Sequence, residues 1–350
     1  MNKNPQGDIT LRIMSVVAAI AVTAFSFVAK GAEGGSTAYN FLDVTQSTRI
    51  YGLGGVNVSI VEDNVMTSDQ NPALLGPEVG KQIGLGYMRN MGGTNYASVR
   101  YGMGLTEHSA FAVGVRYFGY GSMTSTDVTG QVTGNFSASD IAVSLGYSHD
   151  ITDRLRGGIN LKLITSSYDH YSALALGTDI GVNYYNDEED SSVSLTVSNL
   201  GGQIKRFNES YDRLPIDVRL GFTRSLSAAP IRLSVTAFNL TKWHLPYTDV
   251  GDGTSTSEFK TKDKFASNLF RHLVFAAEVI PNDNFYIGIG YNYKNRTDMS
   301  TYSRSFVSGF SATAGFNARG FSIGAAVAQH HTGAATFMVN LGIDLDEILR

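Results

Sequence analysis

The sequence predicts an all-β fold, a transmembrane antiparallel β-barrel of about 14 strands. From about Lys81 to the C-terminus, runs of roughly ten residues alternate apolar with small or polar side chains, and a turn closes each run. Only 17% of residues are charged and Gly reaches 38, while mean hydropathy lies near zero. That balance is expected where lipid-facing and lumen-facing residues cancel within each strand. The connections between runs are also unequal, long at one end of the barrel and short at the other.

At the N-terminus, Lys3 and Arg12 precede an apolar stretch over 13–29, and small residues come next at Gly31 and Ala32. This reads as a secretory signal peptide over 1–31, cut between 26 and 34, with Ala24-Phe25-Ser26 and Ala29-Lys30-Gly31 both offering the small residues a signal peptidase reads. A membrane anchor is the alternative, although the stretch is short for spanning. No later segment is continuously apolar for long enough to be a spanning helix. In a membrane, the processed chain must therefore be a closed barrel, because unpaired backbone groups in hydrocarbon cost several kcal/mol each.

Residues 32–80 differ from the alternating region. Gly52, Gly54 and Gly55 lie close together, then Asp63-Asn64, then Asn71-Pro72-Ala73-Leu74-Leu75-Gly76-Pro77. Glycines permit conformations and close approaches that a Cβ forbids, and each proline removes a backbone donor. Such a segment suits a compact plug that fills a lumen otherwise open to water, or else an ordered periplasmic extension.

The barrel itself is expected over 81–350. Its strands are read near 81–91, 94–104, 108–119, 136–149, 153–169, 172–187, 190–200, 216–225, 230–243, 269–280, 284–295, 306–317, 320–330 and 334–344. In the fifth, Leu155, Gly157, Ile159, Leu161 and Leu163 take one face, and Arg154, Arg156, Gly158, Asn160 and Lys162 the other. Val193, Leu195 and Val197 alternate with Ser192, Ser194 and Thr196; Phe337, Val339 and Leu341 alternate with Met338, Asn340 and Gly342. The polar sets, with Arg100, Arg116 and Lys162, should face a wet lumen. Leu161→Arg is then expected to be costly and Asn160→Arg better tolerated. The long connections, 120–135, 201–215, 244–268 and 296–305, all come after odd-numbered strands, as expected of outer loops opposite short periplasmic turns. Tyr117, Tyr147, Tyr291, Tyr293 and Trp243 fall near strand ends, where amphipathic rings favour the headgroup layer.

Several chemistries are disfavoured. A formal charge of -4 and no basic stripe interleaved with aromatics argue against nucleic acid. Zero cysteines remove disulfides and thiolate catalysis. His330 and His331 are adjacent and would point to opposite faces of a strand, so they are poorly placed to share a metal ion. The acidic turn over 187–190, and Asp249, Asp252 and Glu258, lack the spacing of a calcium loop. No nucleophile elbow, zinc-protease helix or phosphate loop is present, and Gly102 and Gly104 come at strand period. The reading is a protein without cofactor, metal site or catalytic residues.

Three blocks carry a family resemblance: Tyr39-Asn40-Phe41-Leu42; Gly52-Leu53-Gly54-Gly55-Val56-Asn57-Val58-Ser59; and Asn71-Pro72-Ala73-Leu74-Leu75. With Gly158-Ile159-Asn160-Leu161-Lys162, the stretch from Leu214-Pro215-Ile216-Asp217 to Gly221-Phe222, and Lys242-Trp243, they resemble the PorQ family of the Bacteroidota type IX secretion system. The glycine-rich and Asn-Pro-Ala elements alone are shared with wider FadL-like and PorV-like barrels. The resemblance implies a FadL-like barrel with an N-terminal plug motif at Gly52, Gly54, Gly55, Asn71 and Pro72. It implies a multi-pass outer-membrane protein that holds the surface protein PorZ in an attachment complex with PorU and PorV, which joins cargo to lipopolysaccharide. Catalysis would belong to PorU. Phe207, Tyr211, Tyr247 and Phe259 in the long loops are the candidate partner contacts, since aromatics often dominate interfaces. The chain ends Asp346-Glu347-Ile348-Leu349-Arg350, without a terminal aromatic, so either the last strand ends near Asp344 or its signal lies in Phe337, Val339, Leu341 and Ile343. The rival reading on the same fold is a FadL-type transporter of hydrophobic small molecules.

Overall fold

Side-chain alternation organises residues 81–344 into strands whose two faces meet different surroundings. The computed structural model describes residues 37–89, 93–209, 211–249, 260–298, 307–331 and 334–349; the leader read over 1–31 lies outside them. The strands are β1 (Lys81–Arg89), β2 (Asn95–Thr106), β3 (Ser109–Thr126), β4 (Val132–Thr152), β5 (Leu155–Tyr168), β6 (Tyr171–Asn186), β7 (Ser191–Lys205), β8 (Asp217–Ser225), β9 (Ile231–Ala237), β10 (Tyr247–Asp249), β11 (Lys260–Lys262), β12 (Leu273–Asn282), β13 (Phe285–Asn292), β14 (Phe310–Ala318), β15 (Phe321–His331) and β16 (Ala334–Asp344). All but β10 and β11 form one closed barrel, in which β1 pairs with both β2 and β16. The closing register runs from Gln82 opposite Asp344 to Arg89 opposite Phe337, antiparallel like its neighbours. Closure leaves no sheet edge, as a barrel in lipid requires.

The facing expected of β5 holds. Ile159, Leu161 and Leu163 are 41%, 51% and 45% exposed, whereas Asn160 and Lys162 are buried. The same outward apolar row continues through Val193, Leu220, Leu233, Ile287, Ile323 and Val339. Leu161→Arg should therefore destabilise by about 2–4 kcal/mol if the residue sits near mid-membrane. Urea unfolding in lipid vesicles measures it, with Leu161→Ala as the control; equal losses would place Leu161 outside the bilayer.

The structure alters several boundaries. The connection read over 120–135 is mostly strand: β3 and β4 run on to Thr126 and from Val132, joined by a turn at 127–131. Both faces of this extension are largely polar and exposed, so it carries no alternation to read. β7 likewise continues to Lys205. β9 stops at Ala237 instead of near 243, where Asn239 turns to a φ of +55°. The 244–268 connection contains β10, β11 and the start of a helix, Phe265–Arg271, which displaces the start of β12 to Leu273. After β13 the chain enters the helix Tyr293–Asp298. The last strand ends at Asp344, whose carboxylate caps the helix Leu345–Ile348 by accepting from the Asp346 and Glu347 amides at 3.0 and 3.1 Å.

Residues 37–80 lie against the inward faces of the strands and are mostly buried. Their local structure is a helix, Thr48–Gly52, and short 3-10 turns such as Pro72–Leu74. The Ser47 hydroxyl caps the helix by accepting from the Ile50 amide at 3.4 Å. Asn71 and Pro72 start the later turn: Asn71 Oδ1 accepts from the Ala73 amide at 3.0 Å, and proline at the first position needs no amide hydrogen. Gly54 and Gly55 take φ of +99° and +83°, which suits glycine. Gly52 has no room for a Cβ, which would collide with the Thr313 side chain and fall 2.6 Å from the Ala312 backbone.

Candidate functional site

The site is the seam between this luminal segment and the wall, and four arginines with their carboxylates define it. Arg116, on β3, pairs with Asp69 and donates to the carbonyls of Leu42 and Val44, both at 3.2 Å. Asp69 is held in turn by Gln46, whose amide and Nε2 donate at 3.2 and 3.0 Å. Arg49, on the luminal helix, donates through Nε to Glu278 on β12 at 2.6 Å, pairs with Glu62, and lies 4.1 Å from the centre of the Tyr286 ring. Arg219, on β8, bridges Asp217 at 2.6 Å and luminal Asp43 at 3.1 Å. Arg156, on β5, grips both oxygens of Glu78 at 2.9 and 3.2 Å. A bidentate guanidinium–carboxylate pair fixes orientation as well as proximity.

Neutral contacts complete the ring. Asn340 on β16 donates to the Gln46 carbonyl at 3.0 Å. Ser311 on β14 accepts from the Gly54 amide at 2.9 Å and donates to the Gly52 carbonyl at 2.8 Å. Asn292 on β13 donates to the Gly54 carbonyl at 3.0 Å. Asn57 donates to Ser234 on β9 at 2.9 Å, and the hydroxyls of Ser59 and Thr223 on β8 are 2.7 Å apart. Gln203 on β7 donates to the Tyr39 hydroxyl at 2.8 Å. Towards the long-loop end, Tyr39, Phe41 and Leu42 pack with Tyr96, Phe118, Ile164 and Leu214 into an apolar layer.

The wet lumen expected from the sequence is corrected here. Arg100, Arg116 and Lys162 point inward, but each is at most 4% exposed because the luminal segment covers them. Lys162 is neutralised by Asp179 at 2.7 Å, and Asn160 donates to the same Asp179 at 2.9 Å. Asn160→Arg would add another cation to a dry cluster, so the expected tolerance of that substitution does not stand. Water reaches the short-turn end, where a polar bowl of about 900 Å³ is lined by Arg154, Arg156, Asp150, Glu62, Glu78 and their neighbours.

Of the residues read as a plug motif, Gly52, Gly54, Asn71 and Pro72 lie at the seam, whereas Gly55 bonds within the luminal segment, its amide donating to the Ile50 carbonyl and its carbonyl accepting from Gln70, both at 3.0 Å. Asn71 donates to the Val58 carbonyl at 2.8 Å and lies against Gly181 on β6, while Pro72 lies against Gly158 on β5. The candidate partner contacts that are described, Phe207, Tyr211 and Tyr247, have different neighbours. Phe207 stacks on Tyr168 at 4.9 Å. Tyr211 is 44% exposed beside Arg206. Tyr247 is engaged by Tyr293 and Arg271, and Phe259, like Asp252 and Glu258, lies outside the described residues. His330 and His331 lie at the end of β15, and no metal-binding cluster of His, Cys, Asp or Glu occurs among the described residues. The luminal carboxylates Asp43, Glu62, Asp69 and Glu78 were missed by sequence reading; five acids in a short segment, these four and Asp63, facing a barrel with inward arginines were the available signal.

No protein-family model and no curated protein matches the chain. Solved structures do. The Ralstonia pickettii toluene transporter TbuX aligns with a TM-score of 0.53 at 12% identity over 86% of this chain and 97% of that one. The CymD monoaromatic hydrocarbon channel gives 0.52 at 10% identity over 87% and 97%. A TodX monoaromatic hydrocarbon channel carrying the deltaS2S3 mutation gives 0.51 at 12% identity over 85% and 97%. The shared feature at this identity is the fold, which in this chain is a closed barrel of 14 strands.

Proposed function

We propose that this chain is an outer-membrane barrel whose N-terminal segment is a fixed plug and whose long-loop end holds a surface protein. In this reading the turns such as 187–190 face the periplasm, and a cleaved leader exports the chain. The partner is a PorZ-like protein in a type IX attachment complex with PorU-like and PorV-like components, which supports joining of cargo to lipopolysaccharide in a Bacteroidota-type envelope. The chain contributes anchorage and no catalysis.

The observation that carries this reading is the set of latches. Arg116–Asp69, Arg49–Glu278, Arg219–Asp43 and Arg156–Glu78 tie one segment to β3, β12, β8 and β5, so moving it breaks several charge pairs at once. A conduit needs a path that opens at modest cost; an anchor needs a rigid body. Deleting residues 250–262 should leave insertion and heat-modifiable migration intact but release the surface partner into the medium. Continued retention of that partner on intact cells would count against the assignment.

The second reading, a transporter of hydrophobic molecules, is favoured by the fold shared with TbuX and CymD. It would need the apolar layer around Tyr39 and Phe41 to part. Uptake of a monoaromatic hydrocarbon by vesicles carrying the protein, or a lipid tail found deep in the lumen, would favour it.

A further inference from the structure

The barrel wall is uneven. β3 and β4 have 18 and 21 residues, whereas β9 has seven and β13 eight. A tilted strand needs about 9–11 residues to cross a bilayer, so β9 and β13 fall short on either side of β12, which has 10. Directly above these strands stands the helix Phe265–Arg271 with Trp243 beside it.

The helix is two-faced. Asn268 and Arg271 are buried, Arg271 donating to Asp298 at 2.6 Å in the adjoining helix. Phe265, Leu269 and Phe270 are 69%, 36% and 48% exposed. Trp243 is 39% exposed and its ring centre lies 5.4 Å from that of Phe265. This apolar face continues the outward row of β9 and β12, since Leu273 comes just after the helix and pairs with Ala237. Exposed Lys262 and Lys264 border it, as suits the boundary with phosphate headgroups.

Non-sheet backbone at this depth needs partners for its polar groups, and the C-terminal end of the helix has them. The helix supplies its internal bonds, the Phe238 amide donates to the His272 carbonyl at 2.9 Å, and the buried His272 ring sits between the Phe238 and Trp243 carbonyls at 2.8 and 3.0 Å. We infer that Trp243, Phe265, Leu269 and Phe270 form an aromatic collar seated in lipid at the long-loop end, completing the apolar belt where the strands are too short. The inference rests on the membrane reading above and fixes which loop surface is withheld from a protein partner.

Trp243 is the sole tryptophan of the chain, so the unmodified full-length protein reports its own depth. It is reconstituted in phosphatidylcholine vesicles carrying bromines either near the headgroup or near the chain end, with insertion established separately by flotation and heat-modifiable migration. The collar predicts about twofold loss of emission with shallow bromines, a smaller loss with deep ones, and little quenching by aqueous iodide. An inserted barrel whose Trp243 ignores both lipids and is quenched by iodide overturns the collar while leaving the membrane reading in place. A chain that fails to float with vesicles overturns both.

Discussion

Asp69→Ala should cost about 3–5 kcal/mol of stability, because it leaves the Arg116 guanidinium uncompensated in a dry interior. Both side chains of this pair are 2% exposed, and Arg116 keeps only the Leu42 and Val44 carbonyls. The pair's net contribution relative to an apolar replacement is small, since desolvation offsets most of the attraction. Its role is to locate the segment. The Asp69→Ala, Arg116→Met double variant should therefore recover part of the loss. Urea unfolding in vesicles reads all three variants; an Asp69→Ala protein as stable as the parent would show that the latch is wet or absent.

Much of the fold was legible because the outward side chains are constrained. Lipid permits few polar residues on that face, so Ile159, Leu161 and Leu163, or Ile287 and Ile289, alternate cleanly, and the fourteen barrel strands emerge from that pattern. Legibility fails where the constraint lifts. The outer parts of β3 and β4 meet water on both faces, so Thr124 to Thr126 and Val132 to Gly134 show no pattern that separates strand from loop. The helix Phe265–Arg271 was hidden inside a long connection because its seven residues are too few for a helical period to stand out.

The seam was half legible. Glycine spacing and the Asn-Pro-Ala block marked residues 52–77 as unlike the strands, and inward Arg100, Arg116 and Lys162 were assigned to the correct face. Alternation reports which face a residue takes and not what covers it. Pairings such as Arg49–Glu278 join positions 229 residues apart, and only the closed topology brings them together. The neighbours of the loop aromatics were illegible for a related reason: Phe207 meets Tyr168 and Tyr247 meets Arg271 only once the chain is folded, while Tyr211 stays exposed.

In the proposed reading, the luminal segment also links fold to function. Its apolar layer and its charge pairs occupy the space that a passage would use. Removing residues 37–79 would expose Arg100, Arg116 and the Lys162–Asp179 pair to water, where each can be hydrated, so the emptied barrel can remain closed as a sheet while becoming open as a pore.

Conductance in a planar bilayer tests that claim most directly. The full-length protein should be silent, and the same protein lacking residues 37–79 should pass ions in discrete steps. Equal, stable conductance from both would contradict the account, because the lumen would then be open with its segment in place.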